Sequence, residues 1–185
     1  MAEALKVILE RTSVRSFENK QIDDEQLKTV VKAALNAATA MGRQSYHISV
    51  VQNRTLLNKM SGAVASLLVE SEVPSLVERG QDANFDIFHH APTVVFLCSD
   101  GTHYSLADCA NAAQNMCLAA TALELGSCYI GSFVQAFESK EGENLLKEFE
   151  LPKGYVPVFA VALGYPKTKI FNPEKERVEK VTYIR

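Results

Sequence analysis

Residues 105–125 read Ser105-Leu106-Ala107-Asp108-Cys109-Ala110-Asn111-Ala112-Ala113-Gln114-Asn115-Met116-Cys117-Leu118-Ala119-Ala120-Thr121-Ala122-Leu123-Glu124-Leu125. Seven of these residues are alanine, and no charge falls between Asp108 and Glu124. A helix apolar on all sides is buried on all sides. Side chains this small let other backbones approach closely. The segment is therefore expected to be the central helix of the protein, in its core or at a subunit interface. Gly126 follows as a C-cap, because glycine enters the left-handed region without steric cost.

Elements on either side support a mixed architecture. Leu5, Ile8 and Leu9 predict a short first helix ending near Arg11. Asp23 is a good N-cap with Gln26 at the capping-box position, and Ile22 and Leu27 are spaced for a hydrophobic staple. Leu27, Val30, Val31, Ala34, Leu35 and Ala38 then recur at helical spacing. Tyr46 to Gln52 reads as a strand, and Leu56 to Leu68 carries a third helix. Pro74 to Asp86 is polar and irregular, a loop or short helix. Pro92 to Cys98 is a continuous apolar run of strand length, expected at the centre of a sheet. Ser139 is placed to cap a helix running through Phe149, ahead of Pro152 and Gly154. Tyr155 to Leu163 is a strand, with Pro157 near its start. Residues 165–185 are polar, end in the strand-like Val181-Thr182-Tyr183-Ile184, and must lie on the body of this subunit or of a partner. Helices and strands do not alternate regularly, so the class is α+β, with residues 1–185 forming one domain.

Composition narrows the function. The chain has 185 residues, 47% apolar and 22% charged, with a net charge of −3. That balance offers no general attraction to nucleic acid or anionic membrane, so any anion site must be built locally from a few arginines. No window approaches the roughly 20 apolar residues of a membrane span, and the N-terminus lacks a signal-peptide core. Cys98, Cys109, Cys117 and Cys128 lie among apolar residues with no Cys-x-x-Cys pair, as expected of buried reduced thiols in a cytoplasmic protein. His89 and His90 precede a strand; in extended backbone they would point opposite ways and share no metal. No metal site is expected.

Three segments carry candidate chemistry. Arg11-Thr12-Ser13-Val14-Arg15-Ser16 packs two arginines and three hydroxyls into six residues. Arginine grips phosphate with a fork of N–H donors, and hydroxyls add more. The alternative is a solvated basic turn. Ala38-Thr39-Ala40-Met41-Gly42-Arg43-Gln44-Ser45-Tyr46 joins a helix to a strand and, read alone, is only a loop. Leu125-Gly126-Ser127-Cys128-Tyr129-Ile130-Gly131 brackets small residues with two glycines. Backbone of that kind can approach a flat ligand and aim N–H groups at it. The alternative here is a plain helix cap and turn.

Taken together, these segments resemble the nitroreductase family. Arg11 to Arg15 looks like its opening Arg-x-Ser-x-Arg/Lys element, and Ala38 to Tyr46 resembles its Pro-Ser-x-x-Asn-x-Gln-Pro-Trp. Ala91-Pro92, Gln114-Asn115 within 108–120, and Leu125 to Gly131 resemble the Ala-Pro, Gln-Asn and Gly-Ser-Cys-Trp-Ile-Gly stretches. Gly164-Tyr165-Pro166 resembles the Gly-Tyr-Pro closing the last core strand. The elements fall in order along nearly the whole chain. In this chain Gly42 replaces the usual Asn, Ala38 the usual Pro, and Ser45-Tyr46 the usual Pro-Trp.

The resemblance implies an intertwined α+β homodimer. A central mixed or antiparallel sheet would be flanked by helices, with the C-terminal tail exchanged and FMN at the subunit interface. By the same resemblance, Arg11, Thr12 and Ser13 meet the ribityl phosphate and Arg15 lies near the pyrimidine edge. Ala38, Thr39, Met41, Gly42 and Gln44 touch the flavin, partly from the other subunit. Ser127, Cys128, Tyr129, Ile130 and Gly131 line the ring by backbone, and Arg177 reaches the phosphate from the tail. NADH or NADPH would supply hydride, and a small acceptor such as a quinone or nitroaromatic would take the electrons. No side chain need act as nucleophile or general acid, so no catalytic residue is named. The alternatives are another flavin chemistry on the same fold, such as dehalogenation or consumption of the flavin itself, and a low-turnover flavin store or sensor.

Overall fold

Four strands, β1 (Tyr46–Val51), β2 (Thr93–Ser99), β3 (Gly126–Ile130) and β4 (Val156–Gly164), pair in the order β1-β2-β4-β3. Every pairing is antiparallel, which resolves the expected mixed or antiparallel sheet to the second form. This computed structural model describes residues 2–168, 170 and 180–185. All seven residues of β2 are buried, and β2 is central. A continuous apolar run follows from this position: both faces of the sheet are covered, so both sets of alternating side chains need apolar surroundings.

The helices form the two covers: α1 (Glu3–Glu10), α2 (Asp24–Leu35), α3 (Arg54–Val69), α4 (Pro74–Gln81), α5 (Ser105–Ala122) and α6 (Gly142–Lys147). On one face Val94, Phe96, Cys98, Ala160 and Ala162 pack against α3, the 3-10 segment Ser132–Glu138 and α6. Phe96 anchors that core, meeting Phe133 at 5.1 Å and Phe149 at 4.9 Å, both nearly edge to face. Each such pair adds about 0.5–1.5 kcal/mol beyond its buried area. On the other face Val95, Leu97, Val161 and Leu163 meet Val30 and Ala34 of α2 and Cys109, Ala112, Ala113, Met116 and Cys117 of α5.

The capping box of α2 forms as expected: Gln26 N–H donates to Asp23 Oδ1 at 2.8 Å, and the Gln26 side chain accepts from Asp23 N–H. The staple pair Ile22 and Leu27 joins the same core. Residues 74–81 form α4, with Pro74 in its first turn.

Four expectations are corrected or narrowed. First, α5 does not lie wholly within the core of its own subunit: Ser105, Asp108, Cys109, Ala112, Ala113, Met116, Cys117 and Ala120 recur at helical spacing on a buried face, while Leu106 is 54% exposed and Ala107, Asn111, Gln114 and Ala122 are also open, which leaves the other place expected for it, a subunit interface. Second, Gly126 is not its cap. Glu124 takes the left-handed position at φ 57°, with Leu125 N–H bonding Ala120 O and Glu124 N–H bonding Thr121 O in a Schellman motif. Gly126 instead opens β3, where a Cβ would lie 2.9 Å from Val14 Cγ1. Third, the plain cap and turn that stood as the alternative for this stretch is excluded, since Gly126 to Ile130 is a strand. Fourth, Ser139 caps no helix. Its hydroxyl donates to Ala136 O at the end of the 3-10 segment, and α6 begins at Gly142. A side chain at Gly142 would collide with the Phe137 carbonyl, so the two short elements pack back to back.

Residues 180–185 take no part in the sheet, so the strand-like Val181 to Ile184 pairs with no strand of its own subunit. Among the described residues no helix is long and apolar enough to cross a membrane.

Candidate functional site

The segment after α1 runs along the free edge of β3. Ser13 bridges Ser127 in parallel, with Val14 N–H donating to Ser127 O at 2.8 Å. Phe17 then bridges Pro166, and Glu18 N–H donates to Tyr165 O. The sequence thus places Arg11 to Arg15 and Ser127 to Cys128 side by side, as the resemblance implies. Among the described residues the guanidinium groups of Arg11 and Arg15 have no ion-pair or hydrogen-bond partner, and the hydroxyls of Thr12 and Ser13 have none either. Ser127 Oγ is buried without a hydrogen-bond partner; the Cys117 thiol lies near it without reaching hydrogen-bond geometry. A row of unspent donors along the edge of β3 fits a phosphate attached to a flat polar ring.

On β3 the side chains alternate. Cys128 and Ile130 enter the core beneath α3, whereas Tyr129 is 38% exposed and meets the Phe159 ring at 5.3 Å in a tilted pair. Burial raises the Tyr129 hydroxyl to about 12. Burial likewise pushes the Cys98 and Cys109 thiols to about 12 and raises those of Cys117 and Cys128. All four cysteines are free and buried, so they are inert packing groups.

Ala38 to Gln44 lies elsewhere. Asp108, 2% exposed, accepts from Ala40 N–H at 2.9 Å and Ser45 N–H at 3.3 Å, and Asn111 donates to Ala38 O at 3.0 Å. These anchors sit in the first turns of α5. Arg11 acts instead near Cys117, nine residues further on, which is about 13 Å along a helix axis. Within one subunit, α5 separates the Arg11–Arg15 group from the Ala38–Gln44 group.

The loop is strained. Met41, Gly42 and Gln44 all have positive φ, at 54°, 67° and 50°. Gly42 and the Asn usual at its place are the residues that tolerate this region best, so the departure keeps the backbone while removing an amide. Gln44 turns its side chain inward, donating to Leu35 O at 3.0 Å. Met41 is 72% exposed. Arg177 lies outside the described residues.

Two features of this region escape sequence reasoning. Asp108, Asn111 and Asn115 form a polar stripe on α5: the first two hold the α2–β1 connection, and Asn115 donates to Ala33 O near the end of α2. Polar residues at helical spacing in an otherwise apolar helix were the available signal. The second is His89. His89 and His90 both adopt left-handed backbone, at φ 56° and 58°, and so do not form the expected extended pair. Buried Asp86 fixes their turn. It accepts from Phe88 N–H at 2.7 Å and from Ser61 Oγ, and it lies 3.3 Å from Arg54 and 3.2 Å from the His90 ring. Among the described residues no cluster suited to a metal occurs.

The architecture is that of an α+β protein with two arginines, unpaired among the described residues, along one sheet edge and, separated from them along α5, the strained Ala38–Gln44 loop. Residues 8–165 match the Nitroreductase family. An Archaeoglobus fulgidus protein, provisionally named an NADH dehydrogenase/NAD(P)H nitroreductase, is 31% identical over 97% of this chain and 99% of the relative. A nitroreductase with bound FMN from Desulfitobacterium hafniense is 32% identical, superimposes with a TM-score of 0.91, and is matched over 100% of both chains. Another with bound FMN, from Bacteroides fragilis, is 27% identical, with a TM-score of 0.89 over 100% of both. The chain belongs to the nitroreductase family.

Proposed function

We propose that this member of the family, an FMN-dependent NAD(P)H oxidoreductase, reduces small acceptors such as nitroaromatics or quinones by a ping-pong mechanism, nicotinamide and acceptor using one site in turn. The observation that carries the reading is the pair of guanidinium groups, Arg11 and Arg15, beside β3 with no hydrogen-bond or ion-pair partner among the described residues. When bound, FMN supplies the hydride chemistry. The chain binds it, orients it and excludes water. Arg11, Thr12 and Ser13 hold the phosphate, with Arg177 joining from the tail. Arg15 sets a positive charge at the pyrimidine edge and favours the reduced anion. Ser127, Cys128, Tyr129, Ile130 and Gly131 line the ring by main chain. The donor set on this chain fits that ligand.

Ala38, Thr39, Met41, Gly42 and Gln44 serve the flavin of a second copy. Their separation from Arg11 along α5 supports this, as do the exposed apolar residues Leu5 and Ile8 on α1 and Leu106 on α5. The functional unit is accordingly a homodimer covering the open face of α5. Four free buried thiols suit a reducing compartment such as the cytoplasm.

The test is purification followed by turnover. The protein should carry about one FMN per chain and oxidise NADH or NADPH when a quinone or nitroarene is added. A protein that takes up no FMN refutes the reading. One that binds FMN but leaves nicotinamide unoxidised with every acceptor is a flavin store.

A further inference from the structure

We propose that His89 is a further residue of the flavin site: an imidazole presented beside Arg15 by a locked left-handed turn, which takes a proton from water when the flavin gains negative charge. The inference rests on FMN binding at Arg11 to Arg15.

Its geometry comes from three segments meeting at one end of the sheet. A Cβ built on Gly164 would lie 2.8 Å from Pro92 Cδ and 3.1 Å from Phe17 Cδ1. The turn leading into β2 and the strand-like residues after Arg15 are therefore packed against the same point of β4. Gly126, paired with Gly164, is in turn pressed against Val14 and Phe17. His89 stands three residues before Pro92 and Arg15 two before Phe17, and Arg15 is the strongest charged influence on the His89 ring.

The turn is built rather than loose. Two consecutive non-glycine residues in the left-handed region each cost on the order of 1–2 kcal/mol. The Asp86–Arg54–His90 cluster holds them there, and His90 Nε2 is also bonded to Asn84 O at 3.0 Å. His90 is thus committed to the lock. His89 is half-buried, and its ring has no hydrogen-bond partner among the described residues. Strained backbone held by a surrounding network is typical of positions that serve a ligand.

The charged and titratable groups acting on His89 are Arg15, Asp86, Arg79 and His90. Burial first, and Arg15 second, hold the imidazole below its ordinary value, so it is neutral at pH 7. Two electrons added to the flavin by nicotinamide would place an anion next to this neutral ring and partly cancel the field of Arg15. A proton drawn from solvent onto His89 would then be stabilised by that anion. The imidazole exchanges no proton with the reacting carbon and forms no covalent bond.

The chain has four histidines, so the imidazole resonances of the intact holoprotein can be followed singly by proton NMR. His89→Asn identifies the relevant signal, since Asn tolerates left-handed backbone. Titration of oxidised and dithionite-reduced holoprotein should show the His89 midpoint rising by about one pH unit on reduction, tenfold in its proton affinity. A midpoint that moves by less than about 0.2 unit, or a shift shared equally by all four imidazoles, overturns the proposal while leaving FMN binding intact. In Arg15→Ala the oxidised-state midpoint should rise; an unchanged midpoint overturns the juxtaposition even if that variant binds flavin poorly. A protein that takes up no FMN overturns this proposal and the functional reading together.

Discussion

Asp108→Ala should release the Ala38–Gln44 loop. The carboxylate is buried and accepts two backbone hydrogen bonds, at 2.9 Å from Ala40 and 3.3 Å from Ser45. A hydrogen bond to a charged group is worth about 1.5–3 kcal/mol, with the longer bond at the low end. After truncation the half-exposed Ala40 N–H can find water, but the buried Ser45 N–H cannot. Met41 and Gln44 add strain of about 1–2 kcal/mol each, which the same anchor now holds in place. Relaxation of the freed loop would return part of that strain. The net cost is about 3 kcal/mol, or roughly 6–12 °C in melting temperature for a chain this long. Asp108→Asn keeps one acceptor oxygen and should lose about half as much. The assay is urea unfolding followed by far-UV circular dichroism at fixed protein concentration, with calorimetry alongside. Stability of Asp108→Ala within about 0.5 kcal/mol of wild type would refute the assignment of Asp108 as the loop's anchor.

Arg11→Ala should weaken FMN binding by roughly 10- to 150-fold, from the same 1.5–3 kcal/mol for a charged contact; flavin fluorescence titration measures it, and unchanged affinity removes Arg11 from the phosphate site. Arg15→Ala should instead make the bound flavin's reduction potential more negative, because a cation favouring the reduced anion is lost, as spectroelectrochemistry would show. Cys98 and Cys109, raised from an ordinary 9.0 to about 12, retain their protons in the folded state between those values while the unfolded chain loses its own. Stability should therefore be complete below pH 9 as far as these groups are concerned and fall between pH 9 and 12. Iodoacetamide at pH 8 should leave both thiols unlabelled until the chain unfolds; rapid labelling of native protein would contradict their burial. Deleting residues from Pro173 onward should lower both dimer stability and FMN retention, read by sedimentation and absorbance. A truncated chain that stays dimeric at micromolar dilution with its flavin would show the tail to be dispensable.

Local grammar made the sheet legible. The apolar run before Cys98 could only be a strand with both faces covered, and Asp23 with Gln26 marked the start of α2 before any packing was known. The end of α5 was not legible, because Glu124 occupies a position where glycine is expected and the fold sustains the mismatch by burying Leu125 behind it. With Gly126 freed from capping, the strand β3 replaced a turn. The site divided in the same way. Arg11 to Arg15 announced itself through residue types suited to an anion. The anchoring of the second loop depends on Asp108, which looks like an ordinary acidic residue at a helix start until its two distant partners are known. His89 could not be found from spacing, since its direction depends on two left-handed residues and a buried carboxylate.

The placement of α5 has a consequence for how such a chain can change by mutation. Its first turns grip the Ala38–Gln44 loop and its last turns back the Arg11–Arg15 segment, so the helix acts as a rod of fixed length between them. One residue inserted at its middle would turn everything beyond it by about 100° and advance it by about 1.5 Å. Either Asp108 or Cys117 would then leave its layer. Substitutions along the open face disturb neither grip, so their cost is set by the second copy proposed to cover that face. Within its own subunit the helix should therefore accept new side chains more readily than new length. Insertions and deletions should collect in connections remote from it, such as the exposed turn between Glu138 and Glu141.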